Sequence, residues 1–309
     1  MATATTEVAA QRASAPESDR SRGENKLGWK LAGPALAVML AVTAWPILQA
    51  IYLSTFSYRL TDPAAREFIG LSNYITILTD ILWWRDFGVT VLLTAVTVVV
   101  ELVIGFVFAM VMHRIIMGRG VVRTSILVPY GIITVVSAYA WQYAFSLESG
   151  FVNSWFGLGD FDWFGGFWSS FFVICLSEIW KTTPFISLLL LAGLAQVSED
   201  MQEAAKVDGA TAWQRLWKVT IPNMKGAILV AVLFRTLDAF RIFDNVFVMT
   251  GGANGTESLS LLVYRQIINR VEMGLGSAIS VLLFLSVLVI AYSFIKLFKV
   301  DLSQARGER

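Results

Sequence analysis

The hydrophobic residues of this chain are concentrated in six long runs separated by polar stretches. A helix needs about 20 consecutive, mostly apolar residues to cross a bilayer. The runs that meet this requirement are residues 31–53, 87–112, 122–145, 167–197, 226–250 and 274–298. The pattern predicts an all-α polytopic membrane protein with six transmembrane helices.

The segments between and around the runs predict the domain organisation. Residues 1–28 are mostly small or charged, so they bury too little apolar surface to fold, and we expect a disordered tail. Residues 29–300 form the predicted transmembrane domain, and residues 301–309 a second tail. Lys and Arg are more frequent in the tails and in the loops 113–124 and 198–225 than in the other loops, and 146–166 contains neither. The positive-inside rule then places both termini and the 198–225 loop in the cytoplasm.

Composition supports this class and excludes several others. The chain is 56% hydrophobic and 15% charged, with a mean hydropathy of +0.64, whereas soluble domains carry about 25% charged residues. A net charge of +1 offers no basic face for nucleic acid. The single cysteine, Cys175, has no disulfide partner, and the single histidine, His113, argues against a histidine-based metal centre or hydrolytic triad. We therefore expect no metal site and no catalytic residues.

The loop 198–225 contains the most informative short pattern. Two alanines form a small face beside acidic residues, which is typical of a short helix that packs closely against a partner. Gly209 can adopt positive φ and end that helix, and Pro222 suits the start of the next span. The residues of this predicted helix-turn-helix are Glu203, Ala204, Ala205, Asp208, Gly209 and Pro222.

The fifth run contains charges that a lipid-facing helix would not tolerate. Arg235, Asp238, Arg241 and Asp244 recur every third residue, so on one continuous helix they form a stripe of alternating charge. Ionisable residues at membrane depth usually face a bundle interior or a water-filled cavity. We predict that this stripe lines a pathway, and ion pairs within the subunit or with a partner remain the alternatives.

Uncharged polar residues near these charges are candidates for contact with a solute. Asn245, Gln142 and Tyr139 offer amide or hydroxyl groups suited to a neutral polyol. In the fourth run, Glu178 and Lys181 are spaced as an i,i+3 pair beside Pro184, which removes a backbone hydrogen bond. This arrangement predicts a gate at a kink, with a static bend as the alternative. Glu101 in the second run is a further inward-facing candidate.

The chain contains no phosphate-binding loop of the form GxxxxGK[ST]. If this membrane protein is part of a transporter driven by ATP, the ATPase is therefore a separate chain. We expect no cofactor bound by this chain.

Several segments resemble permeases of ATP-binding-cassette (ABC) importers. The stretch from Glu203 to Gly209, followed by Val219-Thr220-Ile221-Pro222, is similar to the EAA motif of these permeases. Segments 68–74, 180–184, 191–194 and 243–252 resemble the sugar subfamily that includes the maltose-type importers. After Gly252 the family's next glycine and proline are replaced by Ala253 and Asn254, which leaves the geometry of that loop open.

The resemblance implies a type I importer fold, a location in the bacterial inner membrane and a specific set of partners. The EAA-like loop would be the coupling helix that docks on a nucleotide-binding subunit. The partners implied are a second homologous permease, two ATP-binding subunits that hold ATP and Mg²⁺, an extracytoplasmic sugar-binding protein and membrane lipid. The substrate implied is a disaccharide such as trehalose. The alternatives are an ABC permease for a non-sugar solute, an ion-coupled secondary transporter and a membrane-embedded enzyme.

Overall fold

The computed structural model describes residues 19–115 and 117–298. It divides into two compact units, and the boundary between them in the sequence lies between Tyr52 and Leu53. The first unit contains most of helix α1, Asp19–Ser54. Within the predicted tails, residues 1–18 and 301–309 lie outside the described residues. Residues 19–28, which were predicted to be disordered, are helical, because extending an established helix adds one hydrogen bond for each residue that is fixed.

The second unit is predominantly helical, as predicted, with one unpredicted antiparallel hairpin. The elements are β1 Phe56–Arg59, β2 Asp62–Phe68, α2 Ser72–Thr79, α3 Ile81–Arg114, α4 Arg119–Gly131, α5 Thr134–Phe145, α6 Val152–Phe156, α7 Phe167–Leu194, α8 Glu199–Val207, α9 Ala212–Arg215, α10 Ile221–Asn223, α11 Lys225–Ala239, α12 Asp244–Met249, α13 Leu259–Tyr264 and α14 Met273–Phe298. Short π-helical stretches follow α9 and α13.

Four of the predicted spans are single helices. Among the described residues, α1, α3, α7 and α14 are long and apolar enough to cross a membrane, and the bent pair of α4 and α5 is a fifth candidate. The count of six is not reproduced, because the fifth predicted span contains only the 15-residue helix α11 before it breaks.

The third predicted span is not one helix. Helices α4 and α5 meet at about 90° across a break at Ile132 and Ile133, whose backbones are extended. Pro129 and Gly131 weaken the end of α4, and the ε-ammonium of Lys181 donates a hydrogen bond to the carbonyl of Ile132. The bend therefore has both a local cause and a tertiary one.

The fifth predicted span also breaks. Helix α11 ends at Ala239, and α12 begins only at Asp244 after Phe243 has adopted φ −135° and ψ −62°. The hydroxyl of Ser258 donates to the carbonyl of Ile242 within the break. Asp244 occupies the first turn of α12, where the helix dipole favours a negative charge.

The helices around the site pack closely at small residues. A Cβ added at Gly105 of α3 would lie 2.7 Å from Cγ2 of Ile186 on α7, and one added at Gly193 of α7 would lie 2.5 Å from Cβ of Ala227 on α11. These approaches fix α3, α7 and α11 side by side, which brings their polar residues together.

A buried carboxylate organises the loop after α12. Arg265 donates to Oε2 of Glu257 at 2.8 Å and to the carbonyl of Gly251 at 3.1 Å. Burial raises the pKa of Glu257, although Arg265 acts in the opposite direction.

Candidate functional site

The centre of the site is one fully buried arginine. The guanidinium of Arg235 on α11 donates to both carboxylate oxygens of Glu101 on α3, at 2.5 and 3.0 Å. It also donates to Glu178 on α7 at 2.7 Å and to Asp238 at 2.6 Å. We call Arg235, Glu101, Glu178 and Asp238 the arginine cluster. It joins three helices through one side chain.

The cluster satisfies charges that would otherwise be too costly to bury. Arg235 and Glu101 are fully buried, whereas the side chain of Asp238 is 70% exposed. A charged group in a low-dielectric interior is stable only when it is paired and hydrogen-bonded. The hydroxyl of Thr182 supplies one further partner, at 2.7 Å from Oε1 of Glu101. The inner part of the cluster is therefore structural, and Asp238 is its accessible end.

Asn245 lies beside the arginine cluster, and the oxygen of its side-chain amide has no hydrogen-bond partner among the described residues. Its Nδ2 donates to Oε2 of Glu178, while its Oδ1 is buried and has no hydrogen-bond partner in the structure. An unsatisfied buried acceptor is costly, so its presence needs an explanation such as a ligand or a water molecule.

A cavity of about 590 Å³ opens next to Asn245. It lies where the break between α4 and α5 faces α7 and the break between α11 and α12. Among the predicted site residues it is lined by Glu178, Lys181, Asp238, Arg241, Asp244 and Asn245. The structure thus brings together four of the six residues predicted for the pathway and two of the three predicted for the gate.

The remaining two predicted pathway residues lie elsewhere. Gln142 and Tyr139 line a separate cavity of about 530 Å³. The amide of Gln142 donates to the carbonyl of Val248 at 2.9 Å, so it holds α12 against α5. Gln142 and Tyr139 therefore lie apart from Asn245, and their contact with a solute stays a prediction.

The predicted pairing of charges is only partly correct. Arg235 does pair with Asp238, but no ion pair between Arg241 and Asp244 is found among the described residues. The predicted stripe requires one continuous helix. Because the helix breaks at residues 240–243, Arg241 and Asp244 do not have helical spacing.

The predicted pair in the fourth span is also wrong. Glu178 binds Arg235 and Asn245, while Lys181 donates to the carbonyl of Ile132. The two side chains therefore hold different elements. Pro184 is buried within α7, which remains one helix from Phe167 to Leu194. A gate at this point stays a prediction.

The predicted helix-turn-helix is confirmed as local structure. Helix α8 covers Glu199–Val207, and Gly209 has φ +78°, as its place after the helix requires. Thr211 and Gln214 form a reciprocal capping box that starts α9. Pro222 falls in the short helix α10 and so does not start α11, which begins at Lys225.

This segment presents its key residues outward. The side chains of Glu203, Ala204 and Asp208 are exposed, whereas Ala205 is half-buried. The amide of Gln202 donates to the hydroxyl of Thr220 at 2.9 Å, which ties α8 to the π-helical stretch. The segment is therefore an ordered surface that is free to contact another protein.

Glu101 has a more central position in the site than its sequence pattern indicates. It pairs with Arg235 across 134 positions of the chain, so no local spacing indicated the contact. The available signal was that Glu101 is the only acidic residue in its apolar run.

The comparisons with known proteins agree with this architecture. The chain belongs to the family of binding-protein-dependent transport system inner membrane components, whose profile matches residues 101–299. It is thus a multi-pass membrane protein and a permease of the ABC importer class.

Two curated relatives cover nearly the same length. The trehalose transport system permease SugA of Mycobacterium tuberculosis is 51% identical over 275 residues, which are 89% of each chain. The trehalose/maltose transport system permease MalF of Thermococcus litoralis is 37% identical over 278 residues, 88% of this chain and 94% of that one.

A solved structure supports the fold. A chain of a bacterial ABC transporter that imports the acidic polysaccharide alginate aligns with a TM-score of 0.76 at 21% identity, covering 91% of this chain and 99% of that one.

Proposed function

We propose that this chain is the permease subunit of an ATP-driven importer of a neutral disaccharide, with trehalose as the first candidate. The proposal draws its substrate class from the two relatives named for trehalose and maltose transport. The driving ATPase is a separate pair of subunits, and a second homologous permease completes the pathway. This chain binds no cofactor.

The structural observation that supports a sugar at this site is that Asn245 lines the cavity with an amide whose buried Oδ1 has no hydrogen-bond partner in the described part of the chain. A sugar hydroxyl donates a hydrogen bond to such an acceptor, and its own oxygen can then accept one. Helix α5 begins at the same wall without a side-chain cap, so its first-turn N–H groups supply donors. The volume of about 590 Å³ lies within the roughly 300–1,000 Å³ of small-molecule sites.

The helix-turn-helix formed by α8 and α9 couples this chain to the ATPase. Exposed Glu203 on α8 and Asp208, which directly follows that helix, dock on the ATPase on the cytoplasmic side, and both termini lie on that side. Closure of the ATPase dimer on ATP moves α8, and the motion opens the cavity outward to receive sugar from an extracytoplasmic binding protein. Hydrolysis then returns the inward-facing state.

The test compares Asn245→Ala with wild type in the complete transporter reconstituted with both permeases, the ATPase and the binding protein. We expect trehalose-stimulated ATP turnover to fall at least tenfold while assembly of the complex, measured by size-exclusion chromatography, is retained. Asn269→Ala, which alters an exposed asparagine away from the cavity, is the control. Normal transport by an intact Asn245→Ala complex would remove this residue from the pathway.

A further inference from the structure

Two buried carboxylates lie close together outside the cavity. Asp86 is in the second turn of α3, and Glu257 is in the loop between α12 and α13. Their side chains are 0% and 1% exposed. An ionised carboxylate is costly to bury unless it is paired and hydrogen-bonded, so the partners of these two groups decide which protonation state they adopt.

Two arginines supply a partner for one oxygen of each carboxylate. Nε of Arg85 lies 3.1 Å from Oδ1 of Asp86, and Nη2 of Arg85 lies 3.9 Å from Oε2 of Glu257. Arg265 donates to the same Oε2 at 2.8 Å. Because one guanidinium reaches both carboxylates, the two acidic groups are neighbours.

The other two carboxylate oxygens have no such partner. Oδ2 of Asp86 and Oε1 of Glu257 are buried, and neither accepts a hydrogen bond from any residue that the structure describes. Leaving a buried acceptor unsatisfied is costly, and the cost is larger for a charged group. A protonated carboxyl donates one hydrogen bond and a carboxylate accepts it. One proton shared by the two groups therefore satisfies both oxygens at once.

The charged groups around the pair are all arginines. Arg85 and Arg265 are 50% and 32% exposed, so solvent screens part of their charge, and Arg270 also acts on Glu257. Burial raises the pKa of Glu257, although the three arginines act in the opposite direction. The arginines therefore do not remove the need for a proton at this site.

The loop that carries Glu257 also reaches the cavity. The N–H of Leu259 donates to the hydroxyl of Thr90 on α3 at 2.9 Å, which holds the loop against α3. Ser258 donates to the carbonyl of Ile242, within the break between α11 and α12 that borders the cavity. A change in the attachment of this loop to α3 is therefore transmitted to the cavity wall.

We propose that Asp86 and Glu257 form a proton-binding site, in which one proton shared between Oδ2 and Oε1 holds the loop after α12 against α3. As pH rises, the proton passes to water and leaves two like charges side by side, which weakens this attachment. The pattern of Lys and Arg places the start of α3 on the extracytoplasmic side, so the site responds to the external pH. Its effect on sugar uptake rests on the proposed function.

Infrared spectroscopy of the complete transporter in nanodiscs tests the shared proton without any sugar. We expect wild type to show a protonated-carboxyl band that is lost as the pH is raised. Asp86→Asn and Glu257→Gln should each remove this band, because the introduced amide donates to the remaining carboxylate, which then needs no proton. Glu148→Gln, which alters an exposed carboxylate, is the matched control and should retain the band. A wild type without the band, as a bridging water would give, or an unchanged band in both variants overturns the proposal.

Uptake into proteoliposomes at a fixed internal pH tests the consequence for transport. We expect trehalose uptake by wild type to fall about fivefold or more as the external pH is raised through the titration of the infrared band. Glu257→Gln should show no such fall, and parallel pH profiles of wild type and this variant overturn the effect on transport. If the band behaves as expected but no sugar is taken up at any pH, the proposed function fails while the proton-binding site stands.

Discussion

Removing the guanidinium of Arg235 should be among the most destabilising single changes in this protein. In Arg235→Met, the carboxylates of Glu101 and Glu178 lose their shared partner, and Glu101 is fully buried. Deleting one partner of a buried ion pair costs about 3–5 kcal/mol, because the remaining charge is uncompensated. Since about 1.4 kcal/mol is a tenfold change, the folded-to-unfolded ratio should fall by roughly two to four orders of magnitude.

The assay is denaturant unfolding of the purified subunit in detergent, with Arg241→Met as the matched control. Arg241 is exposed at the cavity and has no ion pair within 4.0 Å among the described residues, so its loss should change the free energy of unfolding by about 0.5 kcal/mol or less. Adding Glu101→Gln and Glu178→Gln to Arg235→Met should recover much of the lost stability, because no buried charge then lacks a partner. If Arg235→Met unfolds like wild type, the reasoning about the arginine cluster is wrong.

The other predictions concern packing, pH and coupling. Gly105→Val should destabilise the subunit by about 1–3 kcal/mol in the same unfolding assay, since the added side chain meets Ile186, whereas Gly88→Val on the same helix meets nothing within 4 Å. The raised pKa of Glu257 means that its contribution to stability is present below its unfolded-state pKa and is lost as pH rises through the folded-state pKa. Wild type should therefore lose stability relative to Glu257→Gln on raising the pH, and parallel pH profiles would contradict this. Glu203→Ala should lower transport and its coupling to ATP turnover at least tenfold without changing the unfolding transition, and normal transport would refute the coupling assignment.

The sequence predicted those features whose causes are local. Lengths of apolar runs identified α3, α7 and α14, and the glycine at position 209 predicted the turn that separates α8 from α9. The two breaks were not predicted, although Pro129 and Gly131 precede the first and the charged residues Asp238, Arg241 and Asp244 surround the second. Their stabilising contacts come from distant residues, Lys181 in one case and Ser258 in the other.

The candidate site was predicted in its residues but not in its geometry. Asn245 and Asp238 line the cavity as expected, and Asp238 pairs with Arg235 of its own helix as the spacing predicted. The partner that orients Asn245 is Glu178 on α7, and the carboxylate that binds Arg235 most fully is Glu101 on α3. Helical spacing gives neighbours along one helix only, so it cannot identify contacts between α3, α7 and α11.

The arginine cluster constrains how this permease can move. One guanidinium fastens α3, α7 and α11 together, so sliding any of these helices past another would expose an unpaired charge to hydrocarbon. We therefore expect these three helices to move together as one rigid body during a transport cycle. Bending is left to the non-helical joints at residues 132–133 and 240–243, which border the cavity on two sides. We therefore expect the change from an inward-facing to an outward-facing cavity to involve these two joints.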